Sequence, residues 1–343
     1  MAHLIDATTA AHLADALPGA VARLAAGELV AFPTETVYGL GARADAADAV
    51  AKIFAAKGRP SDHPLIVHVA DAAGAAAFAA ELPPVAQRLM AAFWPGPLTV
   101  IVPRRDGIGR EAAGGQDTVG LRCPDHPVAL ALLRAAAQAG VPGVAAPSAN
   151  RFGRVSPTQA AHVASEFESE PDLLVLDGGD CAVGIESAIV DCSRGHPVLL
   201  RPGCLTVAEI EAAAGEPLRT RDATAPRASG TLEAHYAPQA KVRLMTAEQL
   251  DAALTVWGST GRGHPASSAG PTLAVYSRRR RAAVHGVVLQ RMPDDAAAVA
   301  HELFAVLRTL DATGAPLIWV EQPPHAPEWD GVRDRLQRAA AAA

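Results

Sequence analysis

The sequence predicts an α/β protein in two parts, and three observations carry that reading. Short apolar runs alternate with Ala-rich segments of helical spacing along most of the chain. The alternation breaks once, between Gly215 and Pro238, where Arg219, Arg221 and Arg227 mix with prolines and apolar periodicity fades. The length, 343 residues, suits about two domains. Residues 1–214 are therefore read as a first domain, 215–240 as a linker and 241–343 as a smaller second domain with a parallel sheet.

The elements follow in order. Leu13, Leu17, Val21 and Leu24 have helical spacing, and Gly27 stops a helix over 8–27. Leu29–Phe32 reads as the first strand, and Pro33-Thr34-Glu35-Thr36 and Tyr38-Gly39-Leu40-Gly41 as a polar turn. A helix over Ala46–Ala56 ends at Lys57-Gly58-Arg59-Pro60, and Leu65–Val69 is strand-like. Pro83–Phe93 reads as a helix, Trp94-Pro95-Gly96-Pro97 as a packing corner and Leu98–Pro103 as a buried strand. Asp117–Arg122 is a strand ending in a cation, 126–139 a helix, and Val141–Ala146 a strand leading into Pro147-Ser148-Ala149-Asn150. Ser156-Pro157-Thr158 carries a helix-start pattern. Strands at 173–176, 185–190 and 197–200 follow. Beyond the linker, strands at 242–245, 273–276, 287–289 and 316–320 alternate with helices from Ala247 and over 294–310. Residues 258–270 are Gly/Ser/Pro-rich and read as a loop. Arg278–Arg281 is read as a solvated turn, with an RNA or phosphate contact as the other reading.

Two turns of the stretch 32–69 carry chemistry. The first offers hydroxyls and a carboxylate. The second offers Lys57 and Arg59, a point charge and a fork suited to phosphate. Lys57 is one of three lysines in a chain that otherwise uses arginine. Taken alone, both cations read more readily as solvated helix-end charges favoured by the dipole. Their place beside Gly and Pro predicts side chains turned towards a ligand and away from the core.

Composition narrows the class. Half the residues are hydrophobic and 19% charged, compatible with a sizeable core. A net charge of −6 and 4% aromatics disfavour a surface built to grip long nucleic acid. Cys123, Cys181, Cys192 and Cys204 have no C-x-x-C spacing, so no zinc site is expected. No Walker-type phosphate loop occurs. The N-terminus lacks the pattern of a secretory signal, and no apolar run has membrane-span length, so a soluble cytoplasmic protein is expected.

Taken together, PTETVYGL, KGRP and PLIVH within 33–68, PSAN at 147–150, GIES-AIVD at 184–191, LRPG at 200–203 and HYAP at 235–238 resemble the threonylcarbamoyl-AMP synthase family. The resemblance spans about residues 12–240, and HYAP points to the long, two-domain form. It implies a YrdC-like, twisted, mixed α/β first domain with a central cavity and a Rossmann-like second domain. It implies a nucleotidyltransferase that makes threonylcarbamoyl-AMP and pyrophosphate from L-threonine, bicarbonate and ATP with Mg²⁺. The product would go to a separate tRNA threonylcarbamoyl transferase complex, with no stable tRNA binding required.

By motif, the threonine side would be Thr36, His68, Arg122 and Ser187, with Arg122 gripping the carboxylate. The nucleotide side would be Lys57, Arg59, His63, Thr118, Ser148, Asn150, Ser156, Arg201 and Tyr236, with Lys57 and Arg59 as the catalytic cations and no protein-held metal. Tyr236 would close over the ligand from the linker. His63 stands where relatives often have Asn, and Ala188 where they often have Thr. Competing readings stay open: His68 as a core histidine, Thr118 as a strand former, Ser148 and Ser156 as helix caps, Tyr236 as an anchor on the second domain. Two rival functions stand beside this reading. One is a non-enzymatic RNA-binding or ribosome-maturation factor of the same class. The other is a carbamoyl-transfer relative from hydrogenase maturation, whose zinc-finger cysteines this chain lacks.

Overall fold

The structure is a computed structural model that describes residues 2–259, 271–279 and 281–342. Residues 260–270 of the expected loop, and Arg280 of the arginine run, lie outside the described residues. Two units divide the chain: Met1–Phe152 with Ser156–Thr231, and Gly153–Val155 with Leu232–Ala343. The segment expected as a linker is thus shared, its part up to Thr231 belonging to the first unit.

The first unit is built on ten strands: β1 (His3–Asp6), β2 (Val30–Phe32), β3 (Gly39–Arg43), β4 (Ile66–His68), β5 (Leu98–Pro103), β6 (Thr118–Arg122), β7 (Val144–Ala145), β8 (Leu174–Asp177), β9 (Ala188–Asp191) and β10 (Val198–Arg201). They form one mixed sheet in the order β1-β8-β2-β3-β7-β4-β6-β5-β9-β10. The mixture sets the site. The parallel pair β4/β6 puts His68 in register with Arg122, and the parallel pair β5/β9 puts Thr99 in register with Ile189. Two apolar clusters pack the helices onto this sheet, one around Leu40, Ile53, Val67 and Leu121, the other around Phe32, Leu132 and Leu176. Each such side chain, fully buried, contributes roughly 1.5–3 kcal/mol.

Several elements differ from expectation. Gly39, Leu40 and Gly41, read as turn, lie in strand β3. Its Gly41 is required because a Cβ there would lie 2.8 Å from both Phe32 and Val144. The helix expected to start at Ser156 begins at Ala160. The helix Val207–Ala214, with a Thr206/Glu209 capping box, and the helix Asp330–Ala341 were not foreseen.

In the second unit β11 (Lys241–Met245), β12 (Leu273–Ser277), β13 (Val287–Arg291) and β14 (Leu317–Glu321) form an all-parallel sheet in the order β11-β14-β12-β13. The tripeptide Gly153–Val155 belongs here. The Ala237 amide donates to the Gly153 carbonyl at 2.9 Å, Arg154 pairs with Asp311 at 3.4 Å, and Arg308 donates to the Val155 carbonyl. The arginine run is ion-paired: Arg278 with Glu321, Arg279 with Glu248 and Asp251, and Arg281 with Asp251 and Glu321. No helix among the described residues is long and apolar enough to cross a membrane.

Candidate active site

The first turn folds on its own hydroxyls. Thr34 Oγ1 donates to the Val37 carbonyl at 2.7 Å and accepts from the amides of Thr36 and Val37, with the Thr36 hydroxyl 2.9 Å away. This local turn is the usual work of a β-branched hydroxyl residue between strands. It buries Thr36 and turns Glu35 so that its carboxylate lies 2.7 Å from Arg122 Nη2. Arg122 also reaches the Gly96 carbonyl through Nε at 3.4 Å. His68, in register beside Arg122, is buried. Burial first, then the Arg122 charge, pushes its pKa down to about 3, so it is neutral at ordinary pH.

Lys57 closes the last turn of its helix, and Gly58 follows in the left-handed region at φ 64°. The expectation that Lys57 and Arg59 point away from the core needs correction: they are only 3% and 8% exposed. Lys57 Nζ donates to the Ser148 carbonyl at 2.7 Å and to the Asn150 carbonyl, tying the helix end to the PSAN loop. Burial, and then the neighbouring Arg59 charge, lower its pKa well below the ordinary lysine value. Arg59 donates to the Pro64 carbonyl at 2.8 Å and to Ser229 Oγ at 3.4 Å, and stands over the Phe152 ring. His63 is half-buried against the same ring, its pKa lowered by burial and by Arg59.

Ser187 Oγ lies 2.9 Å from Thr99 Oγ1. Arg201, buried, donates to the Ser187 carbonyl at 2.9 and 3.1 Å, to its hydroxyl at 3.3 Å, and to the Ser229 carbonyl at 3.0 Å. Gly203 lets these strands meet, since a Cβ there would lie 2.4 Å from the Ala188 amide nitrogen. Ser156 is not a helix cap. Its buried hydroxyl donates to the Glu186 carboxylate, next to Ser187. Thr118 lies on the same face of β6 as Arg122, with Gly120 between them.

Residues 219–231 lie across this constellation. The Arg219 amide donates to the Pro197 carbonyl at 2.9 Å, Arg194 pairs with Asp222 at 2.8 Å, and Arg227 pairs with Asp62 at 2.9 Å and donates to the Gly114 carbonyl. The space left between Thr118, Gly120, Thr99, Ile189 and Arg227–Ser229 is about 10 Å³, room for no more than roughly one water.

The structure therefore sets Thr36 and His68 beside Arg122, and the strand next to β6 carries Thr99, which holds Ser187. It ties Lys57, Arg59, Ser148, Asn150 and Arg201 to these residues through the PSAN loop and Ser229. Tyr236 belongs to the second unit. Its ring is buried in the second unit, 5.5 Å from Phe304 and under the Arg335 guanidinium, at φ 60°. Sequence reasoning missed Glu35, Thr99, Glu186 and Ser229. Glu35 and Glu186 stood inside the quoted motifs; Thr99 and Ser229 gave no signal of their own. Among the described residues no group of three His, Cys, Asp or Glu side chains could hold a metal ion.

Comparison with known proteins matches both units. A family model described as "Telomere recombination" matches residues 22–203, and one described as "Threonylcarbamoyl-AMP synthase, C-terminal domain" matches residues 205–341. A Bacillus subtilis protein named threonylcarbamoyl-AMP synthase is 38% identical over 332 residues, covering 94% of this chain and 92% of its own length. The structure of Pyrococcus abyssi Sua5 complexed with L-threonine superposes with a TM-score of 0.85 at 33% identity, covering 100% of this chain and 98% of that one. A variant of the same protein, with a histidine and the following tyrosine replaced by alanine, superposes at 0.87 and 33% identity, covering 100% and 97%.

Proposed function

The chain belongs to the threonylcarbamoyl-AMP synthase family, and from that premise we propose that it joins L-threonine, bicarbonate and ATP into threonylcarbamoyl-AMP and pyrophosphate. The observation that carries the reading is the grouping of Arg122, Ser187, Arg59 and Lys57, which offers a cation for an amino-acid carboxylate and two more for phosphates. The relative crystallised with L-threonine supports the first half.

The chemistry asks for positioning and charge stabilisation, not for a protein nucleophile. Arg122 holds the threonine carboxylate as a fork, with Ser187 beside it. Threonine nitrogen takes up carbon dioxide, and a carbamate oxygen then attacks the α-phosphorus while pyrophosphate leaves. That makes the protein a nucleotidyltransferase. Arg59 and Lys57 offset charge on the phosphoryl oxygens. Burial and the Arg59 charge disfavour the Lys57 ammonium, and an anionic phosphate beside it would favour the charged form. Thr118, Ser148, Asn150, Ser156, Arg201 and His63 line the nucleotide side. Mg²⁺ would come with the triphosphate and offset part of its charge; among the described residues no group of three His, Cys, Asp or Glu side chains could hold it.

Residues 219–231 act as the lid. Their exposed pairs, such as Arg227 with Asp62, are individually worth under about 1 kcal/mol and so are easily exchanged. Opening admits the substrates, and closure keeps water from the mixed anhydride. Tyr236 remains a candidate nucleotide contact, offered by the HYAP motif at 235–238. A cytoplasmic location and release of product to a separate tRNA threonylcarbamoyl transferase complex belong to the same proposal. The test is pyrophosphate release from ATP by the whole chain. It should require threonine and bicarbonate together, with serine poorer by roughly 10–200-fold for one missing methyl. Equal release without threonine would overturn the reading.

A further inference from the structure

Resting on that reading, we propose that Glu35 binds the α-ammonium of the amino-acid substrate and takes its proton as the nitrogen becomes a nucleophile. Glu35 and Arg122 form a buried pair, with side chains 7% and 4% exposed and Oε1 2.7 Å from Nη2. The approach is off the N–H direction, and neither Glu35 oxygen receives a hydrogen bond. A carboxylate accepts at about four lone-pair sites, so this group is neutralised in charge but unsatisfied in hydrogen bonding. Leaving buried acceptors in that state is costly. Arg122 mirrors it: Nε makes one long contact, and the buried Nη2 has no hydrogen-bond partner.

An α-amino acid zwitterion repairs both defects at once. Its carboxylate faces the open side of Arg122, and its ammonium brings three donors to Glu35. The two protein charges exchange partners, so the buried charge sums to zero with the site empty and with it filled. A carboxylate beside the ammonium also solves the first chemical step. One N–H proton passes to a Glu35 oxygen, and the freed electron pair forms the N–C bond to carbon dioxide. A C–O π pair moves onto oxygen as the carbamate forms, and the second surplus proton leaves to water.

The experiment compares equilibrium binding of threonine with binding of 3-hydroxybutyrate, which keeps the carboxylate and hydroxyl but lacks the ammonium. The unsubstituted chain should prefer threonine by roughly 30-fold, the worth of a charge-assisted contact. Glu35→Gln should cut that preference to below about threefold. Because it leaves Arg122 without a counter-ion, Glu35→Asp is the second arm. It keeps the charge and the fold but withdraws the acceptor by one methylene, and should lower kcat at least about tenfold with the KM for ATP unchanged. An unchanged preference in a folded Glu35→Gln protein, or a wild-type kcat in Glu35→Asp, would make Glu35 a mere strut for Arg122 and overturn the proposal. Failure of the unsubstituted chain to bind threonine would instead overturn the function on which it rests.

Discussion

Replacing Arg122 by alanine separates two losses that the structure keeps together. The first is structural. Glu35, 7% exposed, would lose the cation 2.7 Å from its carboxylate. Breaking a buried pair from one side costs about 3–5 kcal/mol. At roughly 2–4 °C per kcal/mol for a domain of this size, melting should fall by roughly 6–20 °C. The second loss is functional. Charge-assisted hydrogen bonds to a substrate carboxylate are worth about 1.5–3 kcal/mol, so the threonine requirement should rise roughly 10–150-fold. Lys57 and Arg59 hang from other elements, the helix end and the PSAN loop, so the ATP requirement should move by less than about threefold. Adding Glu35→Gln to Arg122→Ala removes the orphaned charge. It should restore at least about 2 kcal/mol of stability without restoring threonine affinity. Thermal unfolding, denaturant titration and initial rates at varied threonine and ATP give all the quantities. Equal rises in both substrate requirements would refute the carboxylate grip. A loss of stability below about 0.5 kcal/mol would refute the account of the pair.

Three further outcomes follow. Unfolded His68 titrates near its ordinary 6.5, but native His68 does so only near 3. Its contribution to stability is therefore complete above pH 6.5 and lost progressively as pH falls towards 3, and His68→Gln should flatten that limb in acid unfolding, at about 1.4 kcal/mol per pH unit of the window. Tyr236→Ala should destabilise the chain by about 3–5 kcal/mol, read by thermal unfolding, because the ring is buried against Phe304 and Arg335; an unchanged melting point would leave only the nucleotide contact. Gly203→Ala, whose new methyl would meet backbone at 2.4 Å, should cost about 1–3 kcal/mol and weaken threonine binding by displacing Ser187; wild-type binding in a stable variant would contradict the geometry.

How much of this was legible in the sequence depended on how local each cause was. Leu98–Pro103 and the helix Ala47–Lys57 announce themselves by apolar runs and a Gly stop, and they form where expected. Gly39–Arg43 hides as a strand because its two glycines make room for Ala146 and Val144, residues about a hundred positions along the chain, as well as for Phe32 on the neighbouring strand. Lys57 and Arg59 stand at a helix end, where cations usually meet solvent. Their burial follows from carbonyls some ninety positions on, at Ser148 and Asn150, and from Ser229. Ser156 carries a capping signature, yet its hydroxyl is taken by Glu186 thirty residues later. The motifs named most of the site. Thr99 and Ser229 were invisible because each matters only through what the sheet and the lid set beside it.

The tripeptide Gly153–Val155 bears on how such a protein can diversify. Its three residues are written in the middle of the first unit, yet their partners are Ala237, Asp311 and Arg308. A crossover in the linker that imported a foreign second unit would leave the tripeptide behind, facing residues it had never been selected against. A splice at one place cannot move the second unit intact. A designer who grafts the second unit onto a relative must therefore transplant two pieces of sequence rather than one.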